Sequence, residues 1–366
     1  MALILAALSL LALFSIAWLT IDGLRAIGRR RCAEAASKPR RLLVAKRREV
    51  AGELLCLELV DPQGKPLPGF RAGQHLLLTA PAGKHGKAIQ RAYSLAAWAA
   101  RPAHYELGIK REAQGTMTQW LWQNLQVGDG IDVSRAQGDF TIKPGRGPLV
   151  LIAGGIGITP LRAMLQAALD SGRPISLFHA ARSAEQLLYC DEFIALAGRY
   201  AHFSYQPYLS RRADDLSGKR SRLNAGHIVD AITRPTTADF YLCASNSMMA
   251  DLRHGLRARG IAEARIHHEA FGVGEGAGQN GLTLAVDRAG TTKTLVTAGE
   301  PTVLAALEAN DVTVSAECRA GSCGQCVAEL NSGEVDWLVQ PEFAVGPRQF
   351  LPCVCTARGD LSLSLK

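Results

Sequence analysis

Three cysteines, Cys318, Cys323 and Cys326, fall within nine positions of the run AECRAGSCGQCVAEL, and FLPCVC near the C-terminus adds Cys353 and Cys355. Thiolates converging on one centre oblige the backbone between them to wrap it. Gly321 and Gly324 permit the unusual φ angles and close approach that such a loop needs, and Ser322 offers a hydroxyl donor. The spacing C-x4-C-x2-C with a distant further cysteine suits an iron–sulfur cluster. A four-cysteine zinc site is the competing reading, but its knuckles come as paired C-x2–4-C elements, and one such element is present. Cys32, Cys56, Cys190 and Cys243 are scattered, with small buried hydrophobes the simplest reading for Cys56 and Cys190. Clustering of this kind fits metal binding in a reducing compartment rather than a disulfide framework.

The chain of 366 residues is long enough for two or three domains, and 48% hydrophobic with 20% charged residues is ordinary for a folded protein. Its patterning changes twice. From Leu42 to Lys143, short alternating segments such as ELLCLELV, GQHLLLTAP, RAYSLAAW and YELGIKRE are broken by Asp-Pro, Gly and Pro, and only MTQWLWQNL has helical spacing. This predicts an antiparallel β-barrel over 42–145. From Pro148, PLVLIAGGIGITPLRAMLQAAL runs as buried strand, glycine turn and amphipathic helix, and PISLFHAARS and ADFYLCASNSMMADLRHGLRARG repeat strand then helix. This predicts an α/β domain with a parallel sheet over 146–272. A glycine-rich linker, 273–280, leads to a small α+β domain over 281–366, with LTLAVDR and LSLSL as strands and PTVLAALEAN as a helix.

The N-terminus, MALILAALSLLALFSIAWLTI, offers about twenty apolar residues, enough at ~1.5 Å per residue to cross a ~30 Å hydrocarbon core. Arginines and lysines follow it, from Arg25 to Arg41, and none precedes it. Residues 1–21 therefore read as a transmembrane anchor and 22–41 as a basic tether, with the N-terminus out and the remainder in the cytoplasm, at the inner membrane. A cleaved signal peptide fits less well, lacking a basic n-region and a small-residue cleavage site. The net charge of +8 is unevenly spread: Gly281–Lys366 has six Lys/Arg against ten Asp/Glu, so that segment carries −4 and the rest +12. Basic residues flanking an apolar run point to lipid rather than nucleic acid.

Arg91, Tyr93 and Ser94 in RAYSL supply a cation, a flat aromatic and a hydroxyl along one strand, the groups a flavin needs. Gly115, Thr116 and Thr118 in GTMT stand at a helix start, where free N–H groups favour phosphate. In AGGIGITPL, Gly154, Gly155 and Gly157 let a dinucleotide approach the backbone, and Thr159 can donate a hydroxyl, although the turn is not G-x-G-x-x-G. The nine histidines show no metal-ligand spacing, and no nucleophilic triad is evident.

Two resemblances follow from these motifs. C-R-A-G-S-C-x-x-C resembles the cluster loop of plant-type ferredoxins. In that family the fourth ligand lies in L-x-C with an acidic residue seven positions on; Cys353, with Asp360 seven on, is in register, and Cys355 is the alternative. The order R-x-Y-S, G-x-x-[ST], G-G-x-G-x-T-P, Y-L-C, E-x-F across 42–272 resembles the ferredoxin–NADP reductase superfamily. The resemblance implies that Arg91, Tyr93, Ser94 and Thr118 hold the flavin and that Gly154 through Pro160 form the nucleotide phosphate turn. It also implies that Cys243 lies near the nicotinamide C4 and that Glu269 and Phe271 close the hydride-transfer pocket, making Ser94, Cys243 and Glu269 the catalytic set. Arg182 and Ser183 would meet the adenosine ribose. The usual C-G-P triplet is Cys243-Ala244-Ser245 here, and the lost glycine bears on backbone approach to the nucleotide.

The expected protein is an NAD(P)H-dependent oxidoreductase. It would pass single electrons through FAD, or less well FMN, and a 2Fe-2S cluster held by Cys318, Cys323, Cys326 and Cys353. The expected acceptor is a desaturase, a hydroxylase or oxygenase, or a hybrid-cluster protein. A tethered redox sensor without nucleotide turnover and a free flavin reductase are the alternatives.

Overall fold

A computed structural model describes residues 39–81, 88–112, 116–210, 222–271, 278–316, 318–321, 323–339, 341 and 343–365. The apolar run expected to span a membrane lies outside these residues, as do Gly115, Ser322 and most of the glycine linker. Among the described residues no helix is long and apolar enough to cross a membrane.

The alternating segments build one six-stranded antiparallel sheet from β1 (Arg40–Val50), β2 (Leu54–Val60), β3 (His75–Ala80), β4 (Ile89–Ser94), β5 (His104–Lys110) and β6 (Gly130–Val133). Its order is β4-β3-β6-β1-β2-β5, and a bridge between Leu95 and Leu107 brings the two outer strands together. Alternate residues turn inward: Leu55, Leu57 and Leu59 of β2 and Leu76 and Leu78 of β3 are fully buried in one core. The helix α1 (Thr116–Asn124) covers that core with Met117 and Leu121. Arg40 and Arg41, assigned to the tether from sequence, already belong to β1, paired with Val133 and Asp132 of β6.

The next segment forms a five-stranded parallel sheet in the order β11-β10-β7-β8-β9. Its strands are β7 (Leu149–Gly154), β8 (Ile175–Ala181), β9 (Phe203–Leu209), β10 (Asp239–Cys243) and β11 (Ile266–Glu269). Helices α2 (Ile158–Ala168), α3 (Cys190–Arg199), α4 (Ala225–Asp230) and α5 (Asn246–Ala258) connect them. Separate hydrophobic clusters lie on the two faces, which is why β7 and β10 read as unbroken apolar runs. Pro207 is tolerated because β9 is an edge strand. The chain winds outward from β7 to β9, then returns to place β10 on the other side of β7. The turn after β7 therefore sits at a switch point, where ligands of such sheets bind.

The C-terminal unit has a mixed sheet of order β13-β12-β18-β14-β16. It comprises β12 (Asn280–Arg288), β13 (Thr291–Ala298), β14 (Ala328–Ser332), β16 (Gln349–Phe350) and β18 (Leu361–Leu365), with β12 and β18 parallel. Helix α6 (Val303–Ala309) packs on the sheet, and a small ribbon pairs β15 (Val335–Trp337) with β17 (Cys355–Ala357).

A buried arginine joins barrel to parallel-sheet domain. Arg162 of α2 donates Nη1 to Glu106 Oε2 of β5 at 2.6 Å and to the Ala96 carbonyl at 2.9 Å. Its Nε donates to both Glu192 oxygens on α3 at 3.0 and 2.8 Å, and the guanidinium lies 4.1 Å over the Tyr189 ring. Arg162→Ala would leave two carboxylates facing each other without their cation, at a cost of ~3 kcal/mol. We expect its thermal midpoint to fall by about 6–12 °C; a fall below about 2 °C would show that the clamp does not hold the two domains together.

Candidate active site at the three-domain junction

A cavity of about 1600 Å³ opens where the barrel, the parallel-sheet domain and the C-terminal unit meet. Strand β4, at one end of the barrel sheet, supplies Arg91, Tyr93 and Ser94 to its wall. Burial, then the nearby Arg319 charge, lowers the Arg91 pKa to about 10, and burial pushes the Tyr93 phenol up. The Arg91 Nη1 donates to the Gln90 carbonyl at 2.8 Å. Thr118 of α1 also lines the cavity and accepts the Glu112 N–H at 3.2 Å; Thr116 is the first residue of that helix.

The last residue of β11 reaches the last residue of β4. Ser94 Oγ donates to Glu269 Oε2 at 3.4 Å, and the other oxygen, Oε1, lies 4.0 Å from His75 Nδ1. Two residues assigned to catalysis from sequence, 175 positions apart, thus share one wall. His75, which sequence reasoning missed, is largely buried, and burial lowers its pKa. The histidine meets the carboxylate rather than the serine, so these groups form no nucleophilic triad. Phe271 stands at the cavity edge, 45% exposed.

The glycine turn is shaped by β10. A side chain at Gly157 would overlap the Cys243 carbonyl. At Gly154 a Cβ would come within 2.6 Å of the Ala244 Cβ, so the glycine here makes the room that alanine takes in the altered C-A-S triplet. Cys243, expected beside the nicotinamide, is fully buried in the core, paired in register with Ala153 and Glu269, and does not line the cavity. Burial raises its thiol pKa well above the ordinary value. Thr159, expected to offer its hydroxyl to phosphate, donates it within the turn to the Ile156 carbonyl at 3.0 Å. Pro160 is buried in the first turn of α2. Arg182 and Ser183 follow β8 outside the cavity lining, with Arg182 exposed. Ser183 hydrogen-bonds the exposed Glu185 and lowers its carboxyl pKa.

Three thiols, those of Cys318, Cys323 and Cys353, stand on the cavity's third wall, with the buried Cys326 beside Cys353. The Cys323 and Ala320 N–H groups donate to Cys318 Sγ at 3.4 and 3.5 Å, and Cys326 Sγ lies 3.3 Å from Cys353 Sγ. Contacts with Cys318 and then Cys326 raise the Cys353 pKa, while the Cys353 contact lowers that of Cys326. Gly321 and Gly324 adopt φ of +78° and +69°, as a wrapped loop requires. Cys355 points elsewhere: it packs in the hydrophobic core beneath the sheet, where burial raises its pKa to about 12. Cys318, Cys323 and Cys353 line the same cavity as Ser94 and Glu269. Elsewhere Glu58, His104 and Glu106 approach one another on β2 and β5, but Lys46 and Arg162 pair with the two carboxylates.

The fit to a flavin and a cluster can be judged from these walls. Around the cavity stand a cation beside a flat aromatic, a guanidinium whose buried Nε has no partner among the described residues (Arg319), and three cysteine thiols backed by Cys326. These are the donors that a phosphate-bearing flavin and an iron–sulfur cluster require.

Comparison with known proteins agrees. Residues 42–142 match the oxidoreductase FAD-binding domain, 151–254 the oxidoreductase NAD-binding domain and 286–358 the 2Fe-2S iron-sulfur cluster binding domain. The toluene-4-sulfonate monooxygenase system reductase subunit of Comamonas testosteroni is 31% identical, covering 86% of this chain and 95% of that one. The heme-dependent oxidative N-demethylase beta subunit of Ectopseudomonas mendocina is 32% identical, over 74% of this chain and 80% of its own. Among solved structures, phthalate dioxygenase reductase superposes with a TM-score of 0.68 at 25% identity, covering 89% of this chain and 98% of its own. The chain thus belongs to the family of NAD(P)H-dependent oxidoreductases in which an FAD-binding barrel and an NAD-binding domain are followed by a C-terminal 2Fe-2S domain.

Proposed function

We propose that this protein is the reductase component of a membrane-associated oxygenase or hydroxylase system, delivering electrons from NAD(P)H singly to a partner protein. The observation that carries the proposal is the shared cavity, whose walls include Ser94 and Glu269 on one side and cluster-loop cysteines on another. The likeness to a monooxygenase system reductase subunit and to phthalate dioxygenase reductase supports an oxygenase as acceptor.

The chemistry supplied by the bound groups is hydride acceptance by FAD and release of the two electrons one at a time through the 2Fe-2S cluster. The chain binds, orients and shields. Arg91 faces the flavin phosphate, Tyr93 its ring system, and Thr118 helps fix the helix start beside it. Ser94 and Glu269 form a donor–acceptor pair where the nicotinamide must meet the flavin. Phe271 stands at the cavity edge, where its exposed ring could stack on the nicotinamide or shield the site. The turn from Gly154 to Gly157 brings backbone close to the dinucleotide phosphates, and Arg182 and Ser183 lie toward the adenosine end. Cys318, Cys323, Cys326 and Cys353 ligate the cluster.

The anchor belongs to the same proposal. An apolar run of about twenty residues followed by arginines supports a single-pass attachment with the redox domains on the cytoplasmic side of the inner membrane. The acidic C-terminal unit, at −4, would dock on a body whose residues 42–272 carry 28 Lys/Arg against 20 Asp/Glu, or +8, and swing on the glycine linker toward a membrane-bound acceptor.

Three outcomes follow. Glu269→Gln slows anaerobic bleaching of the flavin by NADH about 10²-fold, the scale of a lost proton-handling group; an unchanged rate removes Glu269 from the reaction. Cys353→Ser abolishes the visible spectrum of the cluster and Cys355→Ser preserves it, whereas the reverse pattern moves the fourth ligand to Cys355. Deletion of residues 1–30 leaves NAD(P)H–ferricyanide activity intact but slows delivery to the native acceptor. Equal rates in both assays with and without the segment contradict the anchor's role.

A further inference from the structure

The C-terminal unit places a second guanidinium in the cavity. Arg319, the residue after Cys318, lines it together with Arg91 of the barrel. Arg319 Nη1 donates to Glu308 Oε2 of α6 at 2.8 Å, and Nη2 pairs with the other oxygen of that carboxylate. Among the described residues its Nε is buried with no hydrogen-bond partner. Arg91 is itself largely removed from water and sits close enough to Arg319 for the two charges to disfavour one another. Glu308 and Glu112 offset part of that repulsion. Two guanidiniums from different domains, one with an unused buried donor, form an arrangement that an anion completes. A phosphate group suits them best, because its oxygens accept from planar N–H forks in several directions.

We infer that Arg319 joins Arg91 in seating the phosphate of the flavin, so that the cofactor itself fastens the 2Fe-2S domain to the barrel. The inference rests on the assignment of this cavity to FAD and adds a cofactor-binding side chain from the cluster loop. It gives FAD a second role: holding the cluster at the flavin while electrons pass. Loss of FAD would then free the C-terminal unit.

The test uses full-length protein, stripped of FAD and retitrated by flavin fluorescence quenching, with visible circular dichroism confirming the cluster. Arg319→Gln should weaken FAD binding about tenfold or more, the scale of a lost charge-assisted hydrogen bond. Glu308→Gln, which releases the guanidinium from its carboxylate, should bind FAD as tightly as wild type or tighter. Equal weakening by both variants would mean that Arg319 acts only through its ion pair, and would overturn the inference. Riboflavin, which has no phosphate, should bind wild type and Arg319→Gln alike, and a matched loss would also overturn it. If Arg319→Gln fails to retain the cluster, Arg319→Lys carries the same expectation, since it keeps the charge without the planar fork. Wild-type FAD affinity in Arg319→Gln, with weakened binding in Arg91→Gln, refutes the inference but keeps the FAD site. Wild-type affinity in Arg91→Gln as well would instead remove the FAD assignment of the cavity.

Discussion

The buried Arg162 guanidinium fixes the geometry on which the rest of the molecule depends. It takes carboxylates from β5 of the barrel and α3 of the parallel-sheet domain, together with a barrel carbonyl, and its aliphatic stem rises from the helix that begins at the glycine turn. With that helix pinned to the barrel, the ends of β4 and β11 meet, and Ser94 comes within hydrogen-bonding distance of Glu269. A small rotation between the two domains would part them. A buried ion network is costly to desolvate and adds little net stability, but it tolerates few alternative arrangements. Orientation is what a hydride-transfer site needs, because misplacement of the reacting groups by even an ångström slows such a step.

The third domain is attached differently. Residues of its cluster loop and of β4 line the same cavity, while its acidic charge opposes a basic barrel and nucleotide domain. An electron carrier has to sit close to its donor and then become available to its acceptor. A domain held by a cofactor and by charge, and joined through a short glycine-rich segment, can meet both demands, whereas a domain held by a network like that of Arg162 could not.

Much of this was legible in the sequence, and the exceptions have physical reasons. The cluster thiols, the RAYSL strand and the glycine turn are local motifs, and the structure assembles them as their spacing implies. Strand β13, TTKTLVTA, escaped notice because it is an edge strand with most of its side chains exposed, so it shows little periodicity; its pairing with β12 makes it a strand. The burial of Cys243 was not legible, because every residue of β10 is buried and such a strand carries no alternation to say which face a side chain takes. His75, Arg162 and Arg319 became visible only in three dimensions. Their roles depend on partners in other elements, and three of those partners, Glu269 for His75 and Ala96 and Glu106 for Arg162, are more than fifty positions away. The preference for Cys353 over Cys355 was legible from its register with Asp360, and the fold turns the first thiol toward Cys326 and the second into the core.

The central claim is that one cavity couples nicotinamide oxidation to a cluster in the same chain. Anaerobic rapid mixing of the purified, FAD-loaded protein with NADH, following flavin absorbance and the electron paramagnetic resonance of the cluster together, tests it most directly. The account predicts that the flavin bleaches first and that the signal of a reduced 2Fe-2S centre grows within the same turnover, in protein holding iron and acid-labile sulfide in equal amounts. Flavin bleaching that leaves the cluster oxidised, or protein without iron and sulfide, would contradict it.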